Sequence, residues 1–443
     1  MLGELADAGS TTAWLQIAAR WHVRLQFAVA CAALAGVAFL CAIILSKKFF
    51  LGADSANHYA HVWYISDQLF HHGRLPLHVA NLESGRAITF PYAIAPWALT
   101  AILFALAGDR AVTLMMVAGF VLYGYAAVRA RPALRDPRLL CLIYINTFLI
   151  ESLVAFQMAF VWACVFFLLY VEAVDHQRWA LSSLIAVLAV TTHPFAGGAA
   201  VAAYAIYGCA RRPREIVALL SALTVAGLAL VPFLLYIHSA PSVASTKNND
   251  LMATLRFIAR YRGVVIALPL LVSAFAPAFR ATFVVVFIAM ALMFAQRIDQ
   301  KQVNTFGLDR NAHPFYGQFL ASSAFDPTLR YRVLEPNDRE DGAYQLIRGG
   351  AVLTQEFFDQ SQFRRWWNTR DQYACFLGAK GVDVVLLERD YPLKYSQNEN
   401  TRLSELEAQG LARVLFREPR NRFTAYDVRG ARRSRAKLSD CKL

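Results

Sequence analysis

The sequence predicts a polytopic α-helical membrane protein, with nine or ten hydrophobic segments, that carries a small C-terminal α/β domain. Of its 443 residues, 57% are hydrophobic and 17% charged, against roughly 45–50% and about 25% in ordinary soluble domains. The apolar excess lies almost wholly before residue 297. There it falls into runs, several of them near the ~20 residues that cross roughly 30 Å of hydrocarbon.

The first run, 25–45, is closed by Lys47 and Lys48. It is too long for a signal-peptide core, and no small-residue cleavage site follows, so it reads as an uncleaved first helix. Further runs cover 88–107, 111–128, 139–150, 155–174, 180–192, 195–209, 216–237, 264–279 and 281–294. Several are short enough to be re-entrant or packed inside the bundle. The expected division is a membrane domain at 1–296 with a first outer loop at 47–90, an α/β domain at 297–430, and a basic tail at 431–443.

The net charge of +13 does not require nucleic acid as a partner, because the basic excess sits in short loops and in the tail. Short basic loops mark the cytoplasmic side of a membrane protein. Arg20 and Arg24 therefore place the N-terminal flank inside and the first loop outside a plasma membrane. The loops of Arg129/Arg131/Arg135/Arg138, of Arg178 and of Arg211/Arg212/Arg214 can all share the inner side. The turns at 151–157 and 193–194 then face outward, and the last apolar pair, around Arg280, brings the C-terminal domain outside. This scheme needs an odd number of crossings between residues 90 and 129, where the pattern shows two apolar runs around Asp109-Arg110. Either one run is re-entrant or the loops break the charge rule. Cys31, Cys41, Cys141, Cys164 and Cys209 fall in apolar runs and read as small hydrophobes. Cys375 and Cys441 are too few for a disulfide framework or a zinc site.

Polar chemistry concentrates in the first loop. Asp54, His58 and His61 are spaced four and then three apart, which on a helix puts them on one face. A carboxylate beside imidazoles could abstract a proton from a hydroxyl or hold a divalent metal. A wetted amphipathic helix on the membrane surface is the plainer alternative. Arginine suits a phosphate through its planar fork. Lys47, Lys48, Arg74, Arg86, Arg256, Arg260 and Arg262 are candidates, with interfacial snorkelling as the competing role. Ionisable residues at membrane depth are costly and draw functional hypotheses. Glu151 is one such residue unless a loop hydrates it; His193, before Pro194, is another unless it bonds the gap that proline leaves in a broken helix.

The order of features is an N-terminal apolar helix, a loop opening with Asp54-Ser55 and His58, and a Gly-x-x-Pro turn at Gly73 and Pro76. Gly85 and the Tyr92 segment follow, and later His193-Pro194 inside an apolar stretch. Tyr331-Arg-Val-Leu, Gly381-Val-Asp-Val-Val-Leu-Leu and Tyr426-Asp-Val mark the C-terminal part. This order resembles, over most of the chain, bacterial GT-C-type membrane glycosyltransferases. The nearest likeness is to the membrane proteins labelled 6-pyruvoyl-tetrahydropterin-synthase-related, a label that implies no pterin chemistry. The resemblance implies a GT-C-like fold, a polyprenyl-phosphate-linked sugar donor, and an acidic residue in the first outer loop as base or metal ligand. Asp54 is the residue that matches.

In the C-terminal domain, 331–334, 382–387, 412–416 and 423–428 read as strands. Residues 400–411 read as a helix capped by Asn400 or Thr401. No phosphate loop, nucleophile elbow or metal spacing is present there. Trp366 and Trp367 suit a membrane interface or a sugar, and the basic tail suits anionic headgroups. The expected activity is glycosyl transfer at the outer face. Asp54 would act with His58, His61 and Glu151, while Arg74, Arg86, Lys48 and Arg260 would hold the donor phosphate. A non-catalytic carrier or flippase of lipid-linked glycans, or an envelope-assembly scaffold, is the other class.

Overall fold

The computed structural model describes residues 2–47, 50, 55–76, 78–82, 86–87, 93–239, 263–297, 314–334, 341–354, 369–388, 393–419 and 423–431. Asp54, Lys48, Arg256, Arg260, Arg262, Trp366 and Trp367 lie outside them, as does the tail beyond residue 431.

The apolar runs fold into helices. In order they are α1 (Leu2–Ser46), α2 (Ser55–His72), α3 (Ile94–Ala107), α4 (Arg110–Ala130), α5 (Pro137–Tyr144), α6 (Thr147–Val154), α7 (Met158–Asp175), α8 (Trp179–Thr192), α9 (Pro194–Arg211), α10 (Ile216–Ser239), α11 (Gly263–Ala274), α12 (Ala276–Ala281) and α13 (Phe283–Arg297). Among the described residues four helices are long and apolar enough to cross a membrane, five if the pair α5/α6, bent by 54°, is one span. The architecture is that expected of a helical membrane protein, and α3, α8, α11 and α13 are the shorter apolar members.

Burial ranks the helices. The apolar stretch of α7 is 89% buried, whereas those of α1 and α10 are 17% buried. A helix that is apolar all round and buried is a core element. Accordingly α7 is central, and α1 and α10 present apolar side chains outward.

One end of the bundle gathers the basic loops. Arg131 pairs with Asp175 at 2.5 Å, Arg212 with Asp175 at 3.0 Å, and Arg138 and Arg280 with Asp136 at 2.8 Å. Arg129 is paired with Glu172. Arg138 also donates to Gln26 of α1, 2.9 Å away. The loops that the charge pattern groups on one side are thus joined at one end, with their guanidinium groups largely matched to carboxylates.

Both ends of α3 lie at the opposite end. Its leading residue Ala93 donates its N–H to Thr192 O, 2.7 Å away, where α8 stops. Just beyond its last turn, Asp109 accepts from the Tyr344 hydroxyl at 2.6 Å and from Arg348 at 3.1 Å, both in the C-terminal domain. Leu99, Ile102 and Leu106 form its exposed apolar face. Of the two apolar runs between residues 90 and 129, α4 reaches the basic end and α3 does not.

The C-terminal domain is a five-stranded sheet in the order β4-β3-β5-β7-β6. After β1 (His78–Val79) and β2 (Arg86–Ala87) in the loop that follows α2, the strands of this sheet are β3 (Arg330–Leu334), β4 (Val352–Leu353), β5 (Val384–Glu388), β6 (Arg413–Arg417) and β7 (Phe423–Asp427). β3 runs parallel to β4 and β5, and β7 is antiparallel to β5 and β6. Alternate residues of a strand face opposite ways. In β5, Val384 and Leu386 join the core shared with the bundle, while Val385 packs with Tyr373, Leu377, Leu403 and Leu406 on the other side. Burial on both faces explains the unbroken apolar run of this strand.

Four helices cover the sheet: α14 (Pro314–Leu320), α15 (Asp341–Arg348), α16 (Arg370–Lys380) and α17 (Leu393–Ala408). α16 opens with a capping box of Thr369 and Gln372 and closes at Gly381, φ 63°. α17 begins before the expected Asn400 or Thr401 cap, at Leu393. The apolar period starts only at Leu403, so the first turns carry no periodic signal. They are tied down by Glu399, fully buried and paired with Arg332. Cys375 is disulfide-bonded, which the cysteine count did not suggest.

Breaking a buried ion pair from one side leaves an uncompensated charge, at a cost of roughly 3–5 kcal/mol. Arg332→Met should therefore open the C-terminal domain to limited proteolysis, and the double variant Arg332→Met/Glu399→Leu should recover most of the lost resistance. Equal resistance of Arg332→Met and wild type would show that the pair does not hold α17 to the sheet.

Candidate functional site

α2 is a polar helix buried almost all round over its first two turns. Ser55, Asn57, His58 and His61 are each at most 3% exposed. A wetted surface helix, the plainer expectation for this segment, is not what forms. Burial is possible because neighbours from four parts of the chain supply contacts. α3 packs along it through Trp97. The start of α4 reaches it through Thr113, whose hydroxyl lies 2.8 Å from Tyr59 Oη. The turn after α6 inserts Phe156, stacked on Tyr59 and 6.1 Å from the His58 ring centre. The C-terminal domain roofs it with Tyr344, ring centre 5.6 Å from that of Tyr59.

The loop after α2 is also taken up by the domain. Residues His78–Val79 and Arg86–Ala87 form a short antiparallel ladder. Leu82 bridges to Leu353 on the edge strand β4, Leu353 N–H donates to Asn81 O at 2.8 Å, and the Asn81 amide donates to Ala351 O at 3.0 Å. An exposed sheet edge is thereby covered.

Both histidines converge on Trp97. Its indole N–H donates to His58 Nδ1 at 2.9 Å, and the His61 ring lies parallel to the indole at 4.2 Å. His61 Nδ1 meets the Asn57 carbonyl at 2.8 Å. Accepting at Nδ1 fixes the His58 tautomer with its proton on Nε2. Burial lowers the His58 pKa to about 3, and the Phe156 carbonyl offsets part of that shift. His58 is therefore neutral at ordinary pH. Phe156 holds φ at 60°, a left-handed value that costs a side chain energy; full burial of its ring compensates.

His193 stands close by, between α8 and α9. It caps α9, its Nδ1 accepting from Ala196 N–H at 3.2 Å, with Pro194 in the first helical position. The hairpin closes tightly because Gly197 has no side chain: a Cβ there would stand 2.2 Å from Ala189 O. Glu151 sits partly buried on α6. Arg74 is exposed beyond α2 and donates to Gln68 at 2.7 Å. Arg86 is placed by its backbone pairing with Val79. The structure thus gathers His58, His61 and the His193 hairpin at one end of the bundle, and leaves Arg74 on its surface. Among the described residues no three His, Cys, Asp or Glu side chains converge as metal ligands.

Trp97, Tyr59, Phe156 and Asp109 were not singled out in the sequence as site residues. Only Asp109 carried a signal there, as a charged turn between two apolar runs. Two buried oxygens, Asn57 Oδ1 and Thr192 Oγ1, have no partner among the described residues. Buried polar atoms are nearly always satisfied, so these two carry hydrogen-bonding capacity that the described residues do not use.

Comparison with protein-family models, with curated proteins and with solved structures returns no match for this chain.

A histidine held neutral by burial stabilises the fold fully above its unfolded pKa of ~6.5, and that stability is lost as pH falls toward 3, at about 1.4 kcal/mol per pH unit. Thermal unfolding between pH 7 and 4.5 should show a shallower loss for His58→Gln than for wild type. Superimposable pH profiles would show that His58 does not titrate on unfolding.

Proposed function

We propose that the chain is a GT-C-like membrane glycosyltransferase that uses a polyprenyl-phosphate-linked sugar at the end of the bundle beneath the C-terminal domain. One observation carries the reading: the polar segment that follows Asp54 is buried where apolar helices meet a folded roof, with Asn57 Oδ1 and Thr192 Oγ1 left without partners among the described residues. A lipid-linked sugar needs such a junction, because its chain lies in hydrocarbon while its sugar and phosphate need polar partners. The resemblance in motif order supplies the reaction class.

In this reading Asp54 is the general base that takes the acceptor hydroxyl proton. The acceptor oxygen attacks the sugar carbon, the bond to the phosphate breaks, and configuration inverts. His58, neutral and bonded to Trp97, positions the start of α2 and does not carry the proton. His61, stacked on the same indole, does likewise. Glu151, Lys48, Arg86 and Arg260 remain candidates for the acceptor and donor sides, and Arg74 is the described guanidinium just outside α2. No step is assigned to a metal.

The end that bears the C-terminal domain is proposed as extracytoplasmic. Basic loops gathered at the other end support this, as does the disulfide at Cys375, since disulfides persist in oxidising compartments. Cysteines introduced at the exposed positions Leu75 and Gln409 should react with an impermeant maleimide on intact cells, and one at Arg135 only after permeabilisation. Labelling of Arg135→Cys alone on intact cells would reverse the orientation.

A non-catalytic reading, as glycan carrier, flippase or envelope-assembly scaffold, is favoured by a different observation: His58 and His61 are fixed inside the packed core, as structural residues are. Turnover of labelled polyprenyl-phosphate sugars by purified protein in nanodiscs separates the two. Asp54→Asn should lower turnover by ~10²–10⁴-fold, the loss expected for a general base. Wild-type rates in that variant would remove Asp54 from the chemistry, and absence of turnover in wild type across the donors would favour the scaffold.

A further inference from the structure

A cavity of about 670 Å³ opens at the other end of the bundle, between α7, α9 and α11. Its lining is divided. Arg131, Arg211 and Arg212 stand with one carboxylate, Asp175, at the basic end. Phe167, Ala200, Ala203, Ile266 and Leu270 form an apolar wall. A cavity with cations at one end and hydrocarbon along its side matches an anionic amphiphile.

The cationic end is built. Arg131 donates to Asp175 at 2.5 Å and to Tyr204 Oη at 3.1 Å, and Tyr204 donates to Asp175 at 2.8 Å. Arg212 donates to Asp175 at 3.0 Å and to Val174 O at 3.2 Å, and it also pairs with Glu215 at 3.5 Å. Asp175 is therefore shared by two arginines, and its charge is already spent. Arg211 donates to the Tyr207 hydroxyl and, among the described residues, meets no carboxylate. The lining holds three guanidinium groups against one carboxylate, and with Glu215 at its edge the balance is still positive. Guanidinium groups recognise phosphate oxygens through paired N–H donors. Basic pockets between membrane helices at the cytoplasmic interface suit anionic headgroups.

We propose that this cavity holds one anionic phospholipid of the leaflet at the basic end, its phosphate at Arg211 and Arg212 and one acyl chain along the wall of α9 and α11. The site lies at the opposite end from the proposed transfer site and does not depend on that reading. It provides a lipid contact that braces α11 against α7 and α9.

Native mass spectrometry of the purified full chain, titrated with dioleoyl-phosphatidylglycerol or dioleoyl-phosphatidylcholine, tests the proposal. One phosphatidylglycerol should be retained at least about tenfold more tightly than phosphatidylcholine, the scale of a charge-assisted hydrogen bond. Arg211→Gln, at an exposed position, should erase most of that preference. Ala203→Trp, which fills the apolar side from an exposed position, should weaken both lipids. Millimolar inorganic phosphate should not displace the lipid. Equal retention of the two lipids, or wild-type preference in Arg211→Gln, overturns the site. Displacement by inorganic phosphate alone would reassign it to a soluble phosphate ligand.

Discussion

A polar helix can be buried only if its polar groups find partners inside, and α2 imposes that condition on everything around it. An unsatisfied buried group costs about 1–3 kcal/mol. The indole N–H of Trp97, the Thr113 hydroxyl and the Asn57 carbonyl meet much of this demand. Trp97 can do so only because α3 turns back along α2. Phe156 can seal the other side only with its backbone in a left-handed conformation. The C-terminal domain completes the enclosure through Tyr344 and the loop paired to its sheet edge. For this reason the domain is an extension of the bundle core, with Tyr316, Phe319, Tyr331 and Tyr344 continuous with Tyr59 and Val62.

The two ends of the bundle solve the problem of polar groups differently. At the end under the domain, hydrogen bonds and aromatic stacking predominate, and titratable groups such as His58 are held neutral. At the other end arginines and carboxylates pair across loops: Asp136 accepts from Arg138 and Arg280, and Asp175 accepts from Arg131 and Arg212. Such pairs fasten helix ends to one another. The surplus is positive, and Arg131, Arg211 and Arg212 line the cavity between α7, α9 and α11.

Under the two proposals made above, these chemistries have separate uses. The neutral, enclosed polar junction would serve a reaction on a sugar, where water must be kept from the donor, and the cationic, partly apolar cavity would hold a lipid. Between them α7 is packed on all sides, a continuous rigid column of side chains from Phe156's turn to Asp175.

What the sequence alone determined is set by local periodicity and by charge. Continuous apolar runs of sufficient length must be helical in hydrocarbon, so the bundle and its basic end were legible from residue type. Val384 to Leu387 likewise announced a strand through β-branching, and His193-Pro194 announced a helix break. Tertiary structure decided the rest because the relevant contacts join residues far apart in sequence. Nothing local distinguishes α3, which returns to its own end, from a spanning helix: its composition is the same, and only the contacts of Ala93 with Thr192 and of Asp109 with Tyr344 set its direction. The spacing of His58 and His61 was readable, but not that Trp97 would bond one ring and stack on the other. The first turns of α17 had no apolar period and are fixed by Glu399 reaching Arg332 across the sheet. Helix formation is a property of neighbouring residues, whereas a histidine's protonation is a property of whatever the fold brings beside it.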